Sequence, residues 1–191
     1  MRGGIFFCLL LAAAAPAGAQ NYRQLSQWCF GTATDAQTIL GCDAVIRWAR
    51  ETPRDAAAAF YNRGIAHRNT GQLDRAIDDY SQALRLRPAF AQAWNDRGVA
   101  WHLKGDNAQA VSDFTQAIRL APDLAAAWFN RGAAWASLRR PDLAIADFDR
   151  ALALQPNDAE ALRARGEVRR AAGDVAGGEA DFAAARQRPA R

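Results

Sequence analysis

The 191-residue sequence predicts an all-α solenoid of antiparallel helix hairpins. Three observations predict it. Residue columns recur every 34 positions, apolar residues inside each unit keep helical spacing, and glycine and proline fall where helices must stop. Gly64, Gly98, Gly132 and Gly166 hold the period, as do Arg63, Arg97, Arg131 and Arg165. Asp79, Asp113, Asp147 and Asp181 keep it too, each followed by an aromatic: Tyr80, Phe114, Phe148 or Phe182. Ala83, Ala117, Ala151 and Ala185 follow, and Pro88, Pro122 and Pro156 close the first three units. A catalytic motif appears once, whereas a segment repeated at a fixed interval signals architecture.

The N-terminus reads apart from this pattern. MRGGIFFCLLLAAAAPAGAQ carries a charge at Arg2, an apolar run from Ile5 to Ala15, and Ala17-Gly18-Ala19 before Gln20. This is the layout of a secretory signal peptide, residues 1–19, cleaved after Ala19. It predicts a periplasmic or secreted protein. The run is too short to span a bilayer, so no stable membrane insertion is expected. Cys8 lacks the small preceding residue of a lipidation site and leaves with the leader.

Residues 20–56 follow. AQTILGCDAVIRWA has the apolar spacing of a second repeat helix, with Cys42 in a small-residue column and Ile46 in an aromatic one. The segment 20–34 before it is too short and atypical to be an ordinary first helix, so 20–56 reads as a degenerate N-terminal helical cap. Cys29 and Cys42 are an even count in an oxidising compartment. A redox or metal pair is the competing reading, but no C-x-x-C and no nearby His supports it. A structural disulfide fits, and closing so short a loop contributes about 3 kcal/mol.

The hairpins come next. In 57–90, Phe60, Gly64, Ile65 and Ala66 mark a first helix. Leu73, Ala76, Ile77, Tyr80, Ala83 and Leu84 mark a second, with Gly71 between them and Pro88 after. Small Gly64 and Ala83 permit close helix approach, and Phe60 and Tyr80 fill the space beside them. Trp94 and Trp128 share the column of Phe60 and are expected in the core. One hairpin cannot bury its apolar face alone, but stacked neighbours can.

A bulky residue, then Gly, Ala, an aromatic and Pro in a 34-residue period resembles the tetratricopeptide repeat (TPR) family. The resemblance runs from Ala57 to the C-terminus. It is strong over 57–90, 91–124 and 125–158. It is weaker over 159–191, where Gly178 replaces the Ala of Ala76, Ala110 and Ala144 and the closing L-x-P is absent. It implies a right-handed solenoid in which the first helix of each hairpin lines a concave, partner-binding groove.

Chemistry is sparse. Of the two His residues, His67 falls in the column of Trp101 and Trp135 and reads as packed or half-buried, and His102 reads as groove-facing with no Cys or carboxylate partner at ligand spacing. No nucleophile elbow or phosphate loop appears, and the carboxylates recur with the repeat instead of converging. No enzyme, cofactor or metal is expected. Net charge is +4, or +3 without Arg2, too little to argue for nucleic acid. The recurring Arg and Asp have two readings, an ion pair that fixes helix packing or a basic ladder for anionic partners. A planar guanidinium suits bidentate carboxylate pairing, which favours the first.

The resemblance places the peptide-binding groove at Tyr61, Asn62, Ile65, Arg68 and Asn69 in the first unit. Asn95, Asp96, Val99 and His102 follow in the second, Phe129, Asn130, Ala133 and Ser137 in the third, and Arg163 and Arg170 in the fourth. Asn62 and Asn130 resemble the Asn that hydrogen-bonds a ligand backbone in peptide-binding TPR domains. The chaperone-type carboxylate clamp is broken, because its basic columns hold Tyr61, Ala126 and Asn130. The leading expectation is a scaffold for a peptide or protein partner. The alternatives are self-assembly, as a homodimer stacked through the fourth hairpin, and an accessory binder of an anionic envelope polymer through Arg68, Arg163 and Arg170.

Overall fold

The structure is a computed structural model that describes residues 17–48 and 52–187. Among the described residues all regular structure is helical. The helices pair in sequence as α1 (Ala17–Phe30) with α2 (Asp35–Trp48), α3 (Pro53–Asn69) with α4 (Leu73–Leu86), and α5 (Ala91–Leu103) with α6 (Asn107–Leu120). α7 (Ala125–Ser137) then pairs with α8 (Pro141–Leu154), and α9 (Ala159–Ala171) with α10 (Val175–Arg186). Each hairpin packs on the next, giving the predicted right-handed solenoid. Most of the predicted signal peptide lies outside the described residues.

The ends of these helices follow from local chemistry. Thr52 caps α3, its hydroxyl accepting from the Asp55 N–H while the Asp55 carboxylate accepts from the Thr52 N–H, and Pro53 follows where its missing N–H costs nothing. The carboxylates of Asp106, Asp158 and Asp174 cap α6, α9 and α10 by accepting from backbone N–H groups of the first turn. The turn inside each of the four hairpins from α3 to α10 uses a left-handed backbone. Gly71, Gly105 and Gly173 supply it at φ 75°, 88° and 97°, and Arg139 is forced into it at φ 57°.

Packing within each hairpin is set by one close approach. A Cβ built on Gly64, Gly98, Gly132 or Gly166 meets the facing aromatic ring, Tyr80, Phe114, Phe148 or Phe182, at 2.7–2.9 Å. No Cβ fits at that distance, which is why this column is glycine. The rings of Tyr80, Phe114 and Phe148 are fully buried. Ala76, Ala83, Ala100, Ala110, Ala117 and Ala134 are buried around them and keep the helices near.

Two expectations need correction. Trp94 and Trp128 pack against the buried cluster of Ala117, Ile118 and Ala127 but are themselves only half-buried. Their indole N–H groups donate to the carbonyls of Pro88 and Pro122, at 2.8 and 3.0 Å, and their rings lie under Arg97 and Arg131. An indole carries a donor that needs an acceptor, and the start of the hairpin supplies one. The segment 20–34 is also a proper first helix as far as Phe30. α1 and α2 pack like every other hairpin, with Cys29 and Cys42 disulfide-bonded and buried between them. The cap is therefore disulfide-tied, as predicted.

Candidate functional site

Successive first helices α1, α3, α5, α7 and α9 touch one another, whereas no two second helices do among the described residues. Closer spacing on one side bends the stack and puts the first helices on its inner, concave face. The predicted groove residues sit on these helices.

A polar chain crosses that face. The Tyr61 hydroxyl donates to Asp96 Oδ2 at 2.7 Å, and Arg68 Nη1 approaches Asp96 Oδ1 at 3.4 Å. Asn95 Nδ2 donates to the same Oδ1 at 3.2 Å, and Asn130 Nδ2 donates to Asn95 Oδ1 at 3.0 Å. The chain thus runs from α3 across α5 to α7. Separately, two side chains of α3 reach the cap: Asn62 Nδ2 donates to the Cys29 carbonyl at 2.9 Å, and Asn69 Nδ2 donates to Asp35 at 3.1 Å. Burial, then the adjacent Asp96 carboxylate, pushes the Tyr61 hydroxyl well above its ordinary range, so it remains a donor. Asn62 and Asn130 each spend one amide hydrogen on the protein. A second N–H and the carbonyl remain on each amide, the pair that an extended backbone needs.

The other predicted positions differ in how open they are. Asn95 is buried. Tyr61 packs against Phe90 and Tyr80, with ring centroids 4.7 and 5.9 Å away, and Phe129 packs on Phe148 at 5.6 Å. Ile65 and Val99 pack against the buried clusters around Tyr80 and Phe114. His102 Nδ1 is within hydrogen-bond reach of Asn107 Oδ1. Ala133 is half-buried and Ser137 exposed, its hydroxyl donating to the Ala133 carbonyl. Arg163 and Arg170 are exposed on α9, with Arg170 over the Phe182 ring. The structure therefore joins Tyr61, Arg68, Asn95, Asp96 and Asn130 in one network and leaves Arg163 and Arg170 outside it. Leu103 was missed. It is 59% exposed on α5, in the same column as Asn69 and Ser137, and that shared column is the signal for it.

The Arg–Asp columns are structural. Each arginine makes two parallel bonds to the aspartate of its own hairpin: Arg63 to Asp79, Arg97 to Asp113, Arg131 to Asp147, Arg165 to Asp181. The third nitrogen reaches back to the preceding second helix, at Asp43, Ser81, Thr115 and Asp149 in turn. One side chain so fixes three helices. His67 is buried as expected, and burial lowers its pKa.

Sequence profiles of the tetratricopeptide repeat match residues 57–90, 91–124 and 125–158, more than half of the chain. The chain belongs to the tetratricopeptide repeat family. Arrays of this family are protein–protein interaction scaffolds and generally not enzymes. Among solved structures, MamA residues 41–end from Desulfovibrio magneticus RS-1 is similar, with TM-score 0.79 and 21% identity over 91% of this chain and 96% of that one. The first TPR of Spaghetti (RPAP3), bound to the HSP90 peptide SRMEEVD, aligns at TM-score 0.62 and 28% identity over 63% of this chain and 95% of that one. The Arabidopsis OM64 TPR domain aligns at TM-score 0.61 and 28% identity, over 62% and 98%. A search of curated protein sequences finds no match. Among the described residues no cluster of His, Cys, Asp or Glu is arranged to hold a metal ion, and no helix is long and apolar enough to cross a membrane.

Proposed function

We propose that this protein is a non-catalytic scaffold outside the cytoplasm that holds an extended peptide, or an extended segment of a protein partner, along its inner face. The observation that carries this reading is the polar chain from Tyr61 through Asp96 and Asn95 to Asn130. It holds Asn130, and the Cys29 carbonyl holds Asn62, in fixed orientations while leaving each a donor and an acceptor, so the groove is organised before a ligand arrives. The similar RPAP3 domain binds a peptide in the same fold. Its acidic ligand is not carried over, because the basic clamp columns here hold Tyr61, Ala126 and Asn130. The leader and the Cys29–Cys42 bond support the location.

The test is affinity capture from the cell envelope with mass spectrometry, repeated with Asn62→Ala plus Asn130→Ala. The wild type retains a partner that the folded double variant loses, by tenfold or more in Kd, about 1.4 kcal/mol. Equal capture by both proteins, or no partner for either, overturns the reading. Polymer binding through Arg68, Arg163 and Arg170 is the weaker alternative, since Arg68 already faces Asp96. Binding that collapses with added salt favours it.

A further inference from the structure

A cavity of about 340 Å³ opens between α2 and α4, on the side of the second helices and away from the inner groove, with α3 as its floor. Its lining departs from the later units at His67 and at Asp43, which stands in the column of Ile77, Val111 and Ile145. The column of His67 holds Trp101 and Trp135 in the next two units. Trp101 packs against the buried Ile77 and Tyr80 and fills the corresponding seam. An imidazole is too small to do so, and the space stays open at the first hairpin.

The walls are charged. Arg63 and Asp79 satisfy each other at the floor, and Arg63 also holds Asp43. At the rim Arg75 makes a single bond, to Gln72, and Asp78 is exposed. Ile39 is the one apolar lining residue. Such walls disfavour an apolar guest. A plain anion meets three carboxylates, and a plain cation meets two guanidinium groups. A molecule carrying both charges satisfies both sets. The volume is near the lower end of small-molecule sites, about 300–1,000 Å³, and so suits one small molecule. We propose that this cavity is a binding site for a small zwitterion of the amino-acid class, its ammonium toward Asp43 and Asp78 and its carboxylate paired with Arg75. Arginine's planar fork suits that carboxylate.

Calorimetry on the full mature protein with glycine, lysine and glutamate tests it, with ethylamine and acetate as single-charge controls. At least one amino acid binds at a single site, at least tenfold tighter than either control. His67→Trp restores the residue of the other units, fills the cavity and abolishes binding. Arg75→Gln, at the exposed rim and foldable whatever His67→Trp does, weakens amino-acid binding and leaves the response to ethylamine unchanged. No binding by any of the three amino acids, equal binding by ethylamine, or full binding by a folded His67→Trp or Arg75→Gln protein overturns the proposal.

Discussion

Arg97 spends guanidinium nitrogens on two second helices at once, bonding Asp113 at 2.7 and 2.8 Å and Ser81 at 2.9 Å. Asp113 is almost wholly buried, and burial raises its pKa while Arg97 opposes the rise. Removing the arginine strands that carboxylate. Arg97→Ala is therefore expected to cost about 3–5 kcal/mol, well beyond an exposed pair, read as a lowered denaturation midpoint. Tyr80 presents the opposite case. It is fully buried, its hydroxyl has no protein partner, and the same column holds Phe114, Phe148 and Phe182. An unsatisfied buried hydroxyl costs about 1–3 kcal/mol, so Tyr80→Phe should raise the melting temperature. An unchanged or lower value would show that the hydroxyl is satisfied. His67 gives a pH dependence. Its folded pKa lies below the ordinary 6.5, chiefly through burial, with Asp79 and Asp43 opposing and Arg63 and Arg75 assisting. Folding thus resists protonation: the contribution is complete above the unfolded value and is lost as pH falls below it. Denaturation midpoints across that window should fall in the wild type and stay flatter in His67→Phe.

At the scale of the element, the hairpin turn is the clearest unit of design. Three of its four left-handed positions are glycine and the fourth is Arg139. A side chain there costs about 1–2 kcal/mol. Arg139→Gly should recover part of that, giving a protein that melts higher with unchanged helicity by circular dichroism. A drop in melting temperature would mean that the arginine side chain contributes more than its backbone costs. These turns were legible because glycine at a fixed interval has a conformational cause. So were the second helices, whose apolar stripes are continuous. α1 was not, because Ala17–Phe30 has none of the recurring columns and abuts the apolar leader. Its partner helix shows what replaces them: Gly41 sits against the backbone of Leu25 and Cys29, closer than any Cβ allows, and the disulfide fixes that approach. Trp94 and Trp128 were placed in the core because their column is bulky. Bulk does not reveal that an indole N–H must end beside a carbonyl.

Across the whole molecule, the inner face was readable by position and not by contact. The repeat puts Tyr61, Asn95 and Asn130 on first helices, but the bonds joining them to Asp96 and to each other depend on how far neighbouring repeats approach. The two ends of the stack pose a different problem. The sequence suggests a fourth hairpin without a polar cap, open to self-stacking. Its columns argue otherwise once the seams are known. Leu84, Ile118 and Leu152 are buried under the next hairpin, and the same column ends in exposed Arg186. Ile77, Val111 and Ile145 are succeeded by exposed Glu179. On the first helix, Tyr61, Asn95 and Phe129 are succeeded by exposed Arg163. A terminal repeat with a polar outer face keeps a solenoid from extending. Stacking a second molecule there would strip water from Glu179, Arg186 and Arg163 with no partners provided for them. The expected state of the wild type through this end is therefore monomeric. Restoring the seam residues should reverse that: Glu179→Ile with Arg186→Leu rebuilds an apolar stacking surface on α10. Size-exclusion chromatography with light scattering should show concentration-dependent association in the double variant and none through this end in the wild type. A wild-type dimer that Glu179→Ile with Arg186→Leu leaves unchanged would place its interface at the other end of the stack. A wild-type dimer lost on removing residues 175–187 would show that the charged face itself stacks.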